Sequence, residues 1–112
     1  MGKIDRLQKP FYDIKQVRAL AMSGMVRFID RSDGRAAPAN LGMNENEALT
    51  ILARLSLADF DMTVNDSKSP ANPPADVYKV KYLLFGRILI QIYIKLAIRN
   101  DGQLLVIISF HK

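Results

Sequence analysis

Between Arg87 and Ile98 the chain places an isoleucine or a leucine at every even position. The odd positions carry a mixed set of side chains, which are Arg87, Leu89, Gln91, Tyr93, Lys95 and Ala97. A period of two is typical of a β-strand, and five isoleucines at even positions favour the same structure. A helix would also align Arg87, Gln91 and Lys95, but the β-branched residues and the turn residues at both ends favour a strand. The even face is therefore predicted to be core, and a functional surface is expected on the odd face.

Asn100-Asp101-Gly102 interrupts the apolar pattern ahead of a second apolar segment at 103–110. This arrangement predicts a β-hairpin with a three-residue loop and with Gly102 in a left-handed conformation. On the polar face the predicted pairs are Lys95 with Ile107, Tyr93 with Ser109 and Gln91 with His111. On the core face the isoleucines would meet Leu104, Val106, Ile108 and Phe110. A two-residue Asp101-Gly102 turn would instead place His111 on the core side, because a shift of one residue exchanges the two faces.

The N-terminal half has the signals of two amphipathic helices. Asp13, with Gln16 three residues later, predicts the start of the first helix, which should end at Ser23-Gly24. Asn44 and Glu47 have the same spacing and predict the start of the second helix. Both helices precede most of the predicted strands.

The remaining segments predict short strands and loops. Residues 25–29 are expected to form a short strand, and residues 76–84 another strand that ends in a turn at Phe85-Gly86. Loops are predicted at 31–40 and at 65–75, the second being polar, rich in proline and exposed. The chain is therefore predicted to be α+β, with two N-terminal helices packed on a twisted antiparallel β-sheet.

Length and charge limit the possible classes of protein. A chain of 112 residues, 49% hydrophobic, fits one domain over 1–112 with an N-terminal extension at 1–11. Sixteen Lys and Arg against eleven Asp and Glu suggest a polyanion or an acidic protein as partner, or simply a solvated basic surface. The absence of cysteine excludes disulfides and fits a cytoplasmic protein. The N-terminus does not resemble a signal peptide, and charges interrupt the apolar segment at 82–98, so no membrane segment is expected.

The available side chains favour RNA chemistry over metal chemistry. The chain has one histidine and no cysteine, and Asp59 and Asp61 fit a loop-facing pair as well as a metal site, so neither metal nor cofactor is predicted. A histidine beside a phenol and cations can cleave RNA through its own 2′-hydroxyl, because no external nucleophile has to be generated. His111 would then move the proton. The alternative is a histidine without a role near a frayed C-terminus.

From about Tyr12 onward the chain resembles the MqsR family, the motility quorum-sensing regulator toxins, within the RelE-like group of mRNA-cleaving toxins. The resemblance is carried by short motifs in the expected order: Ser23-Gly24-Met25-Val26-Arg27, Leu41-Gly42, Leu55-Ser56, Asp59-Phe60, Asp76-Val77-Tyr78, Ile92-Tyr93-Ile94-Lys95 and Val106-Ile107-Ile108-Ser109-Phe110. It implies a RelE-like fold and a ribosome-independent endoribonuclease that cuts mRNA at short G- and C-containing sequences. It also implies a cognate antitoxin, with a zinc-binding part and a DNA-binding part, that holds the toxin inactive.

The chain departs from the family pattern at residues that belong to the family's active site. The family lysine after Asp-Phe-Tyr falls on Met62, and the family glutamine before Asp-Val-Tyr falls on Ala75. The family tyrosine is retained as Tyr93, whereas His111 replaces the lysine that follows the terminal Ser-Phe. A histidine in the last strand is similar to what some other RelE-like toxins use as a general acid or base.

Together these observations predict a metal-independent mRNA endoribonuclease whose product is a cyclic phosphate. In the predicted site His111 moves the proton, Tyr93 hydrogen-bonds or stacks, and Lys95 with Arg87 stabilises the phosphate. The predicted RNA-binding residues are Gln91, Lys79, Lys81 and Lys112. The alternatives are a ribosome-dependent toxin and a non-catalytic module that binds RNA or an acidic partner.

Overall fold

The computed structural model describes residues 9–29, 34, 36–65 and 74–112. In chain order the elements are α1 (Ile14–Met22), β1 (Val26–Phe28), a 3₁₀ turn (Pro38–Leu41), α2 (Glu45–Ala53), a second 3₁₀ turn (Leu57–Asp59), β2 (Phe60–Val64), β3 (Ala75–Leu84), β4 (Ile88–Arg99) and β5 (Leu104–His111). One sheet has the strand order β1-β5-β4-β3-β2. The predicted loop residues 31–33, 35 and 66–73 and residues 1–8 of the predicted extension lie outside the described residues.

The α+β prediction is confirmed, with a sheet that is mixed rather than wholly antiparallel. Strands β2 to β5 form the predicted antiparallel arrangement, but β1 runs parallel to β5, with Arg27 paired to Val106. Both helices precede β2 in the chain. Within the described residues neither helix has the length and hydropathy that crossing a membrane requires.

Local capping signals explain where the two helices begin. Asp13 accepts a hydrogen bond from the Lys15 amide at 2.9 Å, and Asn44 forms a reciprocal capping box with Glu47. The side chain of Gln16 does not close a matching box on α1. Its amide nitrogen donates to the Gly102 carbonyl at 2.9 Å and so joins α1 to the turn between β4 and β5.

The even positions of β4 form the centre of the core, as predicted. Ile92, Ile94 and Leu96 are fully buried in the cluster that includes Val17 of α1 and Leu52 of α2. Burial of side chains of this size contributes about 1.5–3 kcal/mol each. The prediction fails only at the start of the strand, where Ile88 is 55% exposed.

The β4–β5 hairpin differs from the prediction in its loop and in its register. The loop has four residues, 100–103, and Arg99 pairs with Leu104. Asn100, Asp101 and Gly102 all have positive φ, so the left-handed glycine is confirmed but the three-residue loop is wrong. Phe110 is a core partner on β5, as predicted, but the other core partners are Leu105 and Ile107 rather than Leu104, Val106 and Ile108.

A β-bulge at Ile108 changes the register half-way along β5. Before the bulge Leu96 pairs with Ile107, and after it the pairs are Lys95 with Ser109, Ile94 with Phe110 and Tyr93 with His111. The predicted pairs of His111 with Gln91, Ser109 with Tyr93 and Ile107 with Lys95 are therefore wrong. The bulge inserts one residue and exchanges the faces of β5. His111 consequently lies on the polar face, as predicted, but beside Tyr93.

Strand β2 was not predicted. It has five residues at an edge of the sheet, and neither face of it is fully buried. It pairs antiparallel with β3, with Met62 opposite Val77 and Thr63 opposite Asp76. Asp61 therefore lies in a strand and not in a loop, which places it beside β3.

Asp76 is a fully buried carboxylate that joins three segments of the chain. One oxygen accepts hydrogen bonds from the Phe11 amide at 3.0 Å and the Thr63 hydroxyl at 2.6 Å, and the other accepts from the Tyr12 amide at 2.8 Å. The Tyr12 hydroxyl donates to the Pro74 carbonyl at 2.6 Å, and burial raises the pKa of this phenol. Asp76 thereby holds the segment before α1, β2 and β3 together.

Replacing Asp76 with asparagine should lower the free energy of unfolding by about 2–4 kcal/mol, because an amide nitrogen would face hydrogen-bond donors in a buried position. Urea unfolding followed by circular dichroism measures the change. Asp101→Asn is the control, since this aspartate is exposed and asparagine tolerates its positive φ. Equal midpoints for the two variants would contradict the structural role of Asp76.

Tyr78 is fully buried, and its hydroxyl has no hydrogen-bond partner in the part of the chain that the structure describes. Burial, assisted by the carboxylate of Asp76, raises the pKa of this phenol above its usual 10.0. The unfolded chain therefore loses the phenolic proton before the folded chain does. Stability that is fully present below pH 10 is lost as the pH rises above that value.

Tyr78→Phe should remove this alkaline loss, which amounts to about 1.4 kcal/mol for each pH unit above the unfolded pKa. Urea midpoints from pH 8 to 11 measure it. The partly buried Tyr82 lies on the same strand, so Tyr82→Phe is the matched control. If the urea midpoints of the wild type and of Tyr78→Phe changed with pH in the same way, ionisation of this phenol would have no effect on the free energy of unfolding.

Candidate active site

The odd positions of β4 point away from the helices, and cross-strand pairing arranges polar residues in rows on this face. The first row contains His111, Tyr93 and Lys79 on β5, β4 and β3. The adjacent row places Lys95 between Ser109 and Val77. We refer to His111, Tyr93, Lys79 and Lys95 as the basic cluster.

Tyr93 and His111 form a stacked pair. Their ring centroids are 5.2 Å apart with an interplanar angle of 21°, and both residues are only partly buried. The Nδ1 atom of His111 lies 2.8 Å from the carbonyl oxygen of Lys112. Because a carbonyl can only accept, this contact is a hydrogen bond in the tautomer that carries its proton on Nδ1, and in that tautomer Nε2 is the accepting nitrogen.

Lys79 is the cation nearest to this pair in the sheet register. It lies directly opposite Tyr93, and its ammonium group is 3.5 Å from the Asp61 carboxylate. Both partners are partly exposed, so the ion pair contributes little to stability. Its effect is to keep the ammonium group near the edge formed by β2 and β3.

Lys95 lies in the adjacent row and is less exposed than Lys79. It is partly buried, and its neighbours in the register are the buried Ser109 and the buried Val77. Lys95 and Tyr93 are two residues apart on the same face of β4, which separates their Cα atoms by about 7 Å. The cluster thus offers two ammonium groups on different sides of the Tyr93 ring.

The structure brings only some of the predicted site residues together. Gln91 and Lys81 pair with each other on the same face, two residues beyond Tyr93 and Lys79, and Lys112 follows His111. Arg87 lies in the turn before β4, six residues and about 20 Å from Tyr93 along the strand. Arg87 is therefore not part of the cluster.

A family model described as motility quorum-sensing regulator, toxin of MqsA, matches residues 9–112. The chain belongs to the MqsR toxin family. A search of curated proteins gives no match. Membership confirms the resemblance inferred from the short motifs and identifies the chain as the toxin of a toxin–antitoxin pair, with an antitoxin of the MqsA kind as its partner.

The two positions where this MqsR toxin departs from the family pattern lie on the β2 side of the cluster. Met62 pairs with Val77 and so shares the row of Lys95, two strands and about 10 Å away. Ala75 is buried and pairs with Val64. Apolar groups therefore stand where the family has a lysine and a glutamine.

Sequence reasoning missed the contact between Asp61 and Lys79, because it depends on β2. The signal that could have indicated it is the alternation of apolar and polar residues from Phe60 to Val64, which covers only five residues. Within the described residues no group of three or more histidine, aspartate or glutamate side chains converges as a metal-binding set would.

Proposed function

We propose that this toxin is an mRNA endoribonuclease that cleaves free RNA without a metal ion. The observation that carries the proposal is the stacked Tyr93–His111 pair, which shares a row of the sheet with Lys79 and lies one row from Lys95. The attacking group is the substrate's own 2′-oxygen, so the protein has to move a proton and stabilise charge. Family membership supports the proposal, because the family consists of toxins.

In the proposed mechanism the Nε2 atom of His111 accepts the proton of the 2′-hydroxyl. The 2′-oxygen then bonds to the adjacent phosphorus, the bond from phosphorus to the 5′-oxygen breaks, and the imidazolium returns the proton to that 5′-oxygen. The products are a 2′,3′-cyclic phosphate and a 5′-hydroxyl. Tyr93 holds the imidazole plane by stacking, and its hydroxyl can hydrogen-bond to the phosphate.

The two lysines of the basic cluster stabilise the negative charge of the phosphate in this mechanism. Lys95 and Lys79 lie on neighbouring strands, β4 and β3. Lys79 is opposite Tyr93, and Lys95 is opposite Val77 in the adjacent row. Negative charge accumulates on the non-bridging oxygens as the 2′-oxygen attacks, and a positioned ammonium group lowers the energy of that state. Gln91, Lys81 and Lys112 extend the polar surface and would contact the RNA backbone on either side of the cleaved bond.

The experiment that tests this function is incubation of the purified toxin in EDTA with a mixed-sequence RNA and with its DNA copy. We expect discrete cuts in the RNA alone, with cyclic phosphate ends. His111→Ala should lower the cleavage rate about 10²-fold or more, because a general acid–base group is lost. Lys15→Ala, a change at an exposed lysine of α1 on the opposite side of the sheet, is the control and should retain the rate within a few fold.

Other outcomes would lead to different functions. Cleavage only when ribosomes and translated mRNA are added would indicate a ribosome-dependent toxin. RNA binding without cleavage under either condition would indicate a non-catalytic module, the second candidate function. That candidate is favoured by Met62 and Ala75, which replace two residues of the family's active site.

Two lysines of β3 provide a matched test of the basic cluster. Lys79 and Lys81 are both exposed and lie on the same face, but only Lys79 is opposite Tyr93. Lys79→Ala should lower kcat about tenfold to a hundredfold, whereas Lys81→Ala should mainly raise KM. Steady-state cleavage of a short RNA measures both constants. Equal effects of the two substitutions on kcat would remove Lys79 from the mechanism.

A further inference from the structure

The outer edge of β3 is covered by β2 along only part of its length. The ladder between the two strands begins with Phe60 opposite Tyr78 and runs from there toward Ala75. Before Phe60 the chain forms the second 3₁₀ turn, so β2 cannot extend further along β3. Residues 80–84 of β3 therefore pair with β4 on one side and have no strand on the other side among the described residues. This segment is about 17 Å long.

A groove of about 270 Å³ lies beside this segment, between β3 and the end of α2. We refer to it as the β3 groove. Among its lining residues are Ile51 and Arg54 from the end of α2, Asp59 of the second 3₁₀ turn, and Val80, Lys81 and Tyr82 of β3. Pockets for small-molecule ligands usually measure about 300–1,000 Å³. The β3 groove is smaller, and its size fits one or two side chains of a bound protein.

The β3 groove combines an apolar lining with two unpaired cations. The apolar lining consists of core or partly buried residues, which are Ile51, Val80 and Tyr82. The Arg54 and Lys81 side chains are exposed, and neither has an ion-pair or hydrogen-bond partner in the described part of the chain. The carboxylate of Asp59 accepts a hydrogen bond from the backbone amide of Ser56 at 3.3 Å. The groove therefore offers apolar surface and a net positive charge.

A strand added to β3 would place alternate side chains in this groove. Val80 and Tyr82 pair with the buried Ile92 and Ile90, so they lie on the helix face of the sheet, whereas Lys81 lies on the open face. Successive side chains of a strand point to opposite faces. Side chains opposite Val80 and Tyr82 would therefore point into the β3 groove, and the side chain between them would lie beside Lys81.

The chemistry of this edge indicates which partner would bind. A free strand edge recognises the backbone of an extended polypeptide, whereas single-stranded RNA needs aromatic stacking, and Tyr82 is the one aromatic residue named in the groove lining. A second copy paired about Lys81 would set two ammonium groups opposite each other, which is unfavourable. Residues 77–100 include five Lys and Arg and no Asp or Glu, so charge complementarity favours an acidic protein segment.

We propose that an extended segment of the antitoxin adds as a strand to β3 along residues 80–84, in line with β2. Two apolar side chains of this segment, two residues apart, would fill the β3 groove. The residue between them would be acidic and would face Lys81, and a further acidic side chain would pair with Arg54. An extended segment with the order apolar, acidic, apolar is thus the ligand that this surface recognises.

This inference rests on the family assignment, which makes an antitoxin of the MqsA kind the partner, and not on RNA cleavage. The test is a calorimetric titration of the purified antitoxin into the toxin. Arg54→Glu should bind about tenfold more weakly or worse, because an attractive charge pair becomes repulsive. The matched control is Lys15→Glu, which makes the same charge change at an exposed residue of α1 outside the groove. Its affinity should stay close to that of the wild type, because salt screens distant charges.

Hydrogen exchange on the wild-type toxin tests strand pairing without any substitution. The amides of residues 80–84 that point away from β4 should exchange at least about tenfold more slowly in the complex than in the free toxin, because they become hydrogen-bonded. Residues 75–78 already lie between β2 and β4 and are the internal reference. This measurement decides the proposal if Arg54→Glu fails to fold, which circular dichroism and thermal unfolding would reveal. Unchanged exchange at residues 80–84 would overturn it.

Further results would also contradict the proposal. Full antitoxin affinity in a folded Arg54→Glu toxin is one, and an equal loss of affinity in Lys15→Glu is another, because overall charge would then determine binding. Sedimentation of the wild-type toxin as a dimer, with residues 80–84 already protected, would make a second copy the occupant. Loss of RNA affinity in Arg54→Glu without loss of antitoxin affinity would make RNA the occupant. By contrast, weaker antitoxin binding by Arg54→Glu in a toxin that cleaves no RNA would reject only the proposed function.

Discussion

The alternation of β4 is the constraint on which the rest of the structure depends. This strand has neighbours on both sides, and a shift of one residue would exchange its two faces. Burial of Ile92, Ile94 and Leu96 prevents that shift, because each such side chain contributes about 1.5–3 kcal/mol when removed from water. The same burial fixes Tyr93 and Lys95 on the open face. Hydrophobic burial thus positions the polar residues of the candidate site.

The bulge at Ile108 likewise makes the position of a candidate site residue depend on the burial of core residues. On β5 the core residues are Leu105 and Ile107 before the bulge and Phe110 after it. With no bulge, the register at Leu96 would continue and turn His111 toward the core while exposing Phe110. Burial of the Phe110 ring therefore stabilises the conformation that sets His111 beside Tyr93.

Local sequence signals were sufficient to predict much of the fold. The caps at Asp13 and Asn44 and the strand at β4 follow from interactions between residues close in sequence. The register of β5 could not be predicted, because nearly every residue of this strand is apolar and no alternation marks the bulge. Strand β2 depends on distant partners, including the hydrogen bond from Thr63 to Asp76, and the contact of Asp61 with Lys79 was missed with it.

The substitutions at the family positions place different side-chain types on the two sides of the sheet. Met62 and Ala75 make the β2 side apolar, while His111 lies at the β5 side. A lysine with its ordinary pKa is protonated at neutral pH and donates, whereas an imidazole can accept a proton and return it. In the proposed mechanism the proton transfer is therefore assigned to His111 and not to one of the lysines.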